Sequence, residues 1–250
     1  MEKLLTQVRI ADHIFKKNEG AIHGRIRRVL DERLNLTSHN FLVPSSTPQH
    51  SGGDRPVYYG ALDVSLSPLG EAEAKAAALY LEQFDLESVI CSPLSRAVFG
   101  AEQVLGLQKN EQEDVIKMDG FKELDRGSWC GKTKEEIGVE AMAKFDACDE
   151  SATPEGGESY ITLKERVLKD RDTVLDRLSA GKAAAIVSHL QVTRSMLSEA
   201  LGIPTSEMAG LGIATASVTC IDYDEDGTQT VHFQSFKPDV GLAKSVDGAN

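Results

Sequence analysis

Three short stretches hold side chains able to grip and protonate an oxyanion: CSPLSRA at 91–97, FKELDRGSW at 121–129 and IVSHL at 186–190. Arg96 falls one turn inside a helix that begins at a strand end, where its guanidinium can fork onto a phosphate or carboxylate. Glu123 is a proton donor if it is partly desolvated. His189 directly follows a buried apolar run and can hold or transfer a proton. Taken singly, each has an ordinary reading: a solvated arginine, a loop carboxylate, a core histidine satisfied by backbone.

The elements that must bring them together follow from the pattern of apolar residues. Phe41–Val43 is a candidate strand leading into PSSTPQHSGGDRP, a turn-rich loop with three Pro and two Gly. Ser67-Pro68 opens a helix with Ala72, Ala76, Tyr80 and Phe84 on one face. Val89–Cys91 is a short buried strand, and Ser92-Pro93 opens the next helix in the same way. A helical stretch near 133–147, the Gly-rich PEGGES and a long helix at about 159–179 follow. Ala183–Val187 is a continuous apolar strand. Val192, Met196 and Ala200 recur at helical spacing until Gly202 and Pro204. Val218–Tyr223 and Thr230–Phe236 form a hairpin around Asp224–Gly227. Strands alternating with helices predict an α/β fold, a three-layer αβα sandwich around a mostly parallel sheet. In such sheets, polar residues at the carboxyl ends of strands share one crevice. Ser92 to Arg96 and Ser188-His189 both stand at such ends.

Residues 2–36 read as helix, with one stripe at Leu4, Leu5, Val8, Ala11 and Phe15 and a second from Ile22 to Leu34. The expected organisation is an N-terminal helical extension at 1–38 and one domain at 39–250. The chain of 250 residues has a formal charge of −12, which disfavours nucleic acid as a partner. Residues 1–38 are net +3 against −15 for the rest, so a protein partner through the N-terminal helices is the expectation there. No apolar run is long enough to span a bilayer. The first residues lack the order of a secretory signal, and the four cysteines show no CxxC spacing, so reduced thiols in the cytoplasm are expected. Asp222, Asp224, Asp226 and Gly227 mimic the start of a calcium loop. Phe233 falls where that loop needs its bidentate carboxylate, so no metal is expected.

The run LDVSLSPLGEAEA, ICSPLSRAVFGAEQVL, FKELDRGSWCGKTKEEI, PEGGESYITLKERV and AIVSHLQVTRSMLSEALGIP resembles the histidine phosphatase superfamily, which includes phosphoglycerate mutase and fructose-2,6-bisphosphatase domains. The resemblance spans roughly 41–236 in collinear order. It implies a phosphoglycerate mutase-like fold, no cofactor, and a small phosphorylated or acidic ligand. It also implies phosphoryl transfer through a phosphohistidine, with Arg96 and His189 on the phosphoryl oxygens and Glu123 as the acid.

The family carries Arg-His-Gly at the end of its first strand, and there this sequence departs from it. The resemblance aligns Pro44 with the arginine and Ser45 with the nucleophilic histidine. Proline has no charge to offer, and serine without an adjacent base is a weak nucleophile. Ser45 is left as a phosphate-binding hydroxyl. His50 is the candidate substitute nucleophile, with Arg55 standing in for the lost arginine. Ile22-His23-Gly24 mimics the triplet but follows no strand, and Leu190 replaces a glycine common after the second histidine. The expectation is a phosphate pocket with weak or absent turnover and a binding or regulatory role. The alternative is a phosphomonoesterase acting through His50.

Overall fold

The computed structural model describes residues 3–5, 41–44, 57–224 and 226–241. The described strands are β1 (Lys3–Leu5), β2 (Phe41–Pro44), β3 (Leu86–Cys91), β4 (Ile116–Lys117), β5 (Ala183–Ser188), β6 (Val218–Tyr223) and β7 (Gln229–Phe236). They join in one sheet of order β1-β6-β2-β5-β3-β4, with β7 also paired to β6. The inner part is parallel: β2 with β5, β5 with β3, and β3 with β4. The β6 side is antiparallel to β1, β2 and β7.

All six residues of β5 are buried, which suits a central parallel strand covered on both faces. Its alternating side chains serve two cores. Ala184 and Ile186 pack with Ile90, Phe121, Leu124, Tyr160, Val192 and Met196 on one face. Ala183, Ala185 and Val187 pack with Ala77, Leu81, Val89, Ala97 and Val104 on the other. Helices α1 (Pro68–Leu81) and α2 (Ser95–Leu105) cover the second face. The first face is covered by α5 (Tyr160–Arg177) and α6 (Leu190–Ala200). Between them in sequence, α3 (Lys134–Ile137) and α4 (Val139–Asp146) are separated by Gly138 at φ +98°, so the single stretch expected near 133–147 is broken in two. Thr133 and Glu136 cap α3 reciprocally, side chain to backbone in both directions.

Local rules set some boundaries and distant residues set others. Ser67 accepts the Gly70 N–H and Pro68 opens α1, as the sequence predicts. Of the expected stripe of α1, Ala76 and Tyr80 are buried, along with Ala74, Ala77, Ala78 and Leu81, while Ala72 and Phe84 are half-buried. Ser92 does not open α2. The helix starts at Ser95, whose N–H and hydroxyl both donate to Asp63 Oδ1, at 2.8 and 2.7 Å. The Ser95 hydroxyl bond holds the Asp63 carboxyl below the usual carboxylate range. Lys3–Leu5 is strand where the sequence predicts helix, because it pairs with β6 at Tyr223 and Ile221. The rest of the expected helical extension lies outside the described residues. Asp224–Gly227 is the turn of the β6–β7 hairpin, with Gly227 at φ +85°. Asp222 at its base pairs with His232 at 2.6 Å. No helix among the described residues is long and apolar enough to cross a membrane.

Candidate active site

The carboxyl ends of β3 and β5 lie side by side, since Cys91 pairs with Val187. The residues that follow the two strands meet directly: Ser92 Oγ is 2.7 Å from His189 Nε2, and both residues are buried. His189 caps α6 in an extended conformation, and its carbonyl accepts the Thr193 N–H and hydroxyl. Burial, followed by the charges of Arg96 and Arg166, pushes the imidazole pKa well below its ordinary value. The ring is therefore neutral at pH 7.

Arg96 projects from the first turn of α2. Nη1 donates to the Leu62 carbonyl at 2.7 Å and Nη2 to the Gly60 carbonyl at 3.0 Å. Two of its five N–H groups are thus used to hold the preceding loop. Gly60 has φ +55°, and a Cβ there would meet the Leu124 carbonyl oxygen at 2.6 Å. That close approach joins the loop at 60–62 to the segment carrying the acid.

Glu123 sits at the N-terminus of α6. Its Oε1 accepts the Leu124 N–H at 2.8 Å and, more weakly, the Gln191 N–H at 3.3 Å. Those bonds and the charges of Arg126 and Arg96 favour the carboxylate, but burial is the larger effect and raises the pKa. Arg166 fixes the backbone around it: Nη1 donates to Gly120 and Lys122 carbonyls, Nη2 to that of Glu123, and the fork closes on Glu158. Glu158 in turn accepts the Asp125 N–H at 2.9 Å.

Arg96, Glu123, His189, Gln191 and Arg126 line one cavity of about 260 Å³, walled on its apolar side by Val57, Tyr58, Val64 and Ile213. The three residues expected from sequence thus converge. Leu190, which stands where the resemblance has a glycine, is also in its lining. Ser45, His50 and Arg55 lie outside the described residues. Arg126 and Gln191 were not singled out by sequence. Arg126 stands within FKELDRGSW, and a second cation three residues from the acid was the available signal. Gln191 carried none, since its part begins with a backbone N–H.

The raised Glu123 pKa gives a testable pH dependence. Sulfate, whose charge is constant over the range, is expected to bind best with the carboxyl protonated. Its affinity falls as pH rises through the raised pKa, and isothermal titration should show Glu123→Gln removing that fall. Linkage has the same sign. A raised pKa contributes stability that is complete below the unfolded carboxyl value of about 4.3 and lost as pH climbs through the folded one. His189 works oppositely: its lowered pKa contributes stability above about 6.5 that is lost as pH falls through the folded value. Urea titrations of Glu123→Gln across pH separate the two.

A family model for the histidine phosphatase superfamily (branch 1) matches residues 49–235. Phosphoserine phosphatase 1 of Hydrogenobacter thermophilus is 30% identical over 171 residues, covering 67% of this chain and 79% of that protein. A bifunctional protein of Mycobacterium tuberculosis is 29% identical over 205 residues, or 80% of this chain and 52% of that protein, so the chain spans about half of that relative. Among solved structures, YhfR of Bacillus stearothermophilus superposes with a TM-score of 0.68 at 24% identity, covering 79% of this chain and 96% of that one.

Proposed function

Because the chain belongs to the histidine phosphatase superfamily, we propose that it binds phosphate or a phosphomonoester and has little or no phosphohistidine turnover. The observation carrying this reading is the register of β2. Pro44 pairs with Ser188, the residue directly before His189. The strand end beside His189 therefore continues as Pro44-Ser45, where the resemblance puts Arg-His. The family match also begins at residue 49, downstream of that strand.

The remaining groups suit an oxyanion. His189 at the start of α6 offers a neutral imidazole and a helix N-terminus, Arg96 retains N–H groups beyond the two on the loop, and a protonated Glu123 can donate rather than repel. Partner attachment through the basic residues 1–38 would give such a binding protein a regulatory role.

A second reading has its own support. A half-buried acid with a raised pKa is what protonation of a leaving alkoxide needs, and simple binding does not require it. The phosphatase name of the Hydrogenobacter relative points the same way. In that reading His50 attacks phosphorus, Arg55 assists, and water releases phosphate from the phosphohistidine.

Phosphate release from p-nitrophenyl phosphate, with acid quenching to trap an acid-labile phosphoprotein, decides between them. The expected result is sulfate binding without trapped intermediate. Robust turnover abolished by His50→Ala would overturn it in favour of the second reading.

A further inference from the structure

We propose that Glu73 is a positioning residue for this cavity. With Lys237 it fixes Thr215, and through Thr215 the wall at 213–215, so that this wall selects ligands by the group next to the phosphoryl. The inference rests on the phosphate-site reading and adds a determinant of selectivity to it.

Ile213, Ala214 and Thr215 line the cavity and lie before β6, outside any helix or strand. Their hold on the protein comes from side chains of distant elements. The Thr215 hydroxyl donates to Glu73 Oε2 at 3.1 Å and accepts from Lys237 Nζ at 3.1 Å. Lys237 Nζ also donates to Glu73 Oε1 at 2.6 Å. Glu73 stands in α1 and Lys237 directly follows β7, so the three-way contact joins parts 142 and 164 residues apart. Next to it, the Ala214 N–H donates to Ser235 Oγ at 2.8 Å, and its carbonyl accepts the Ser217 hydroxyl at 2.7 Å. Arg194 of α6 holds the Leu211 carbonyl at 2.8 Å.

An ordinary surface ion pair contributes little. Two observations set this one apart. The Glu73 side chain is only 11% exposed, and the third member of the contact belongs to the cavity wall. Ala216 at φ +47° and Ser235 at φ +57° are non-glycine residues in the left-handed region, one beside Thr215 and one bonded to Ala214. Such conformations persist only where the surroundings over-determine them, and the bonds to Glu73, Lys237 and the two serines do so here.

The same bonds decide what the wall offers a guest. The Thr215 hydroxyl proton goes to the carboxylate, and both backbone polar groups of Ala214 go to serines. This stretch therefore meets a ligand with carbon. Releasing the hydroxyl would add a polar group to the wall and let it shift. Both changes penalise an apolar substituent more than a phosphoryl group held by Arg96 and His189.

The test is isothermal titration of the full chain with methylphosphonate and phenylphosphonate, two probes that share a head group and differ in the part facing the walls. Phenylphosphonate is expected to bind tighter. The phenyl-to-methyl affinity ratio is expected to fall about five-fold in Glu73→Ala and in Lys237→Met, the scale on which residues off the ligand alter its binding. Methylphosphonate affinity should stay within about two-fold, as for a distant site. Glu73→Gln, which keeps an acceptor for the Thr215 hydroxyl, should retain part of the ratio. The double variant should fall no further than either single one, because both break the same contact.

A ratio unchanged in Glu73→Gln and Lys237→Met overturns the proposal, and these two variants decide it if Glu73→Ala does not fold. Equal losses for both probes alongside a lower urea midpoint overturn it too, since a merely structural role predicts that. A ratio of one in the unaltered chain overturns it and leaves the phosphate reading standing. Failure of the unaltered chain to bind either phosphonate or sulfate overturns the phosphate reading and this inference with it.

Discussion

Replacing Pro44-Ser45 by Arg-His is expected to raise phosphate release from a generic phosphomonoester by at least 10²–10³-fold and to yield an acid-labile phosphoprotein. A single charge-assisted donor to a transition-state oxyanion is worth about that factor. The histidine adds a covalent route that serine lacks without a base beside it. The factors act as a unit, so each single substitution should recover little. The other groups that the proposal invokes are in place: the Ser92–His189 contact at 2.7 Å, Arg96 in the same cavity as His189, and a half-buried Glu123 whose pKa is raised. Strand β2 needs no rebuilding, because Pro44 already pairs with Ser188. If the double variant folds, binds sulfate and releases no more phosphate than the unaltered chain, the strand-end assignment is wrong.

Gly127→Ala is expected to lower stability by about 3 kcal/mol or more, roughly a hundred-fold in the folding equilibrium, and to take anion binding with it. Gly127 has φ +44°, which alone costs an alanine on the order of 1–2 kcal/mol. The added Cβ would also stand 2.3 Å from both the Glu155 oxygen and the Gly157 nitrogen. Those are backbone atoms, and overpacking against them adds about 1–3 kcal/mol. Ser128 donates to the same Glu155 carbonyl at 2.8 Å, so the loop cannot retreat without losing that bond. Gly131→Ala is the control. Its φ is +78° but nothing lies within 4 Å of the added carbon, so only the conformational part remains. Urea midpoints of the two variants that differ little would mean that the glycine loops are not packed together as described.

Much of this was legible in short-range signals. Ser67-Pro68 carries its own cap and its own φ, and the first five residues of β5 are apolar because neighbours cover both faces. The strand–helix alternation placed Arg96 and His189 at one end of the sheet. What escaped depends on partners far away in sequence. The start of α2 is set by Asp63, thirty-two residues upstream of Ser95, and Ser92 is drawn off to His189 ninety-seven residues away. Lys3–Leu5 has a helical apolar pattern, yet its backbone pairs with β6 at the opposite end of the chain. β4 is two exposed residues with no periodicity to read. Arg126 could be seen in the sequence, but not the two rings that hold it.

The double tie between α2 and the loop before α1, Asp63 onto Ser95 and Arg96 onto Gly60 and Leu62, has a consequence for recognition. The protein's own hydrogen bonds hold that wall of the cavity, so a guest need not freeze it on arrival. Association through that wall is then lock-and-key rather than induced fit. Tight-binding small guests should differ mainly in how slowly they leave.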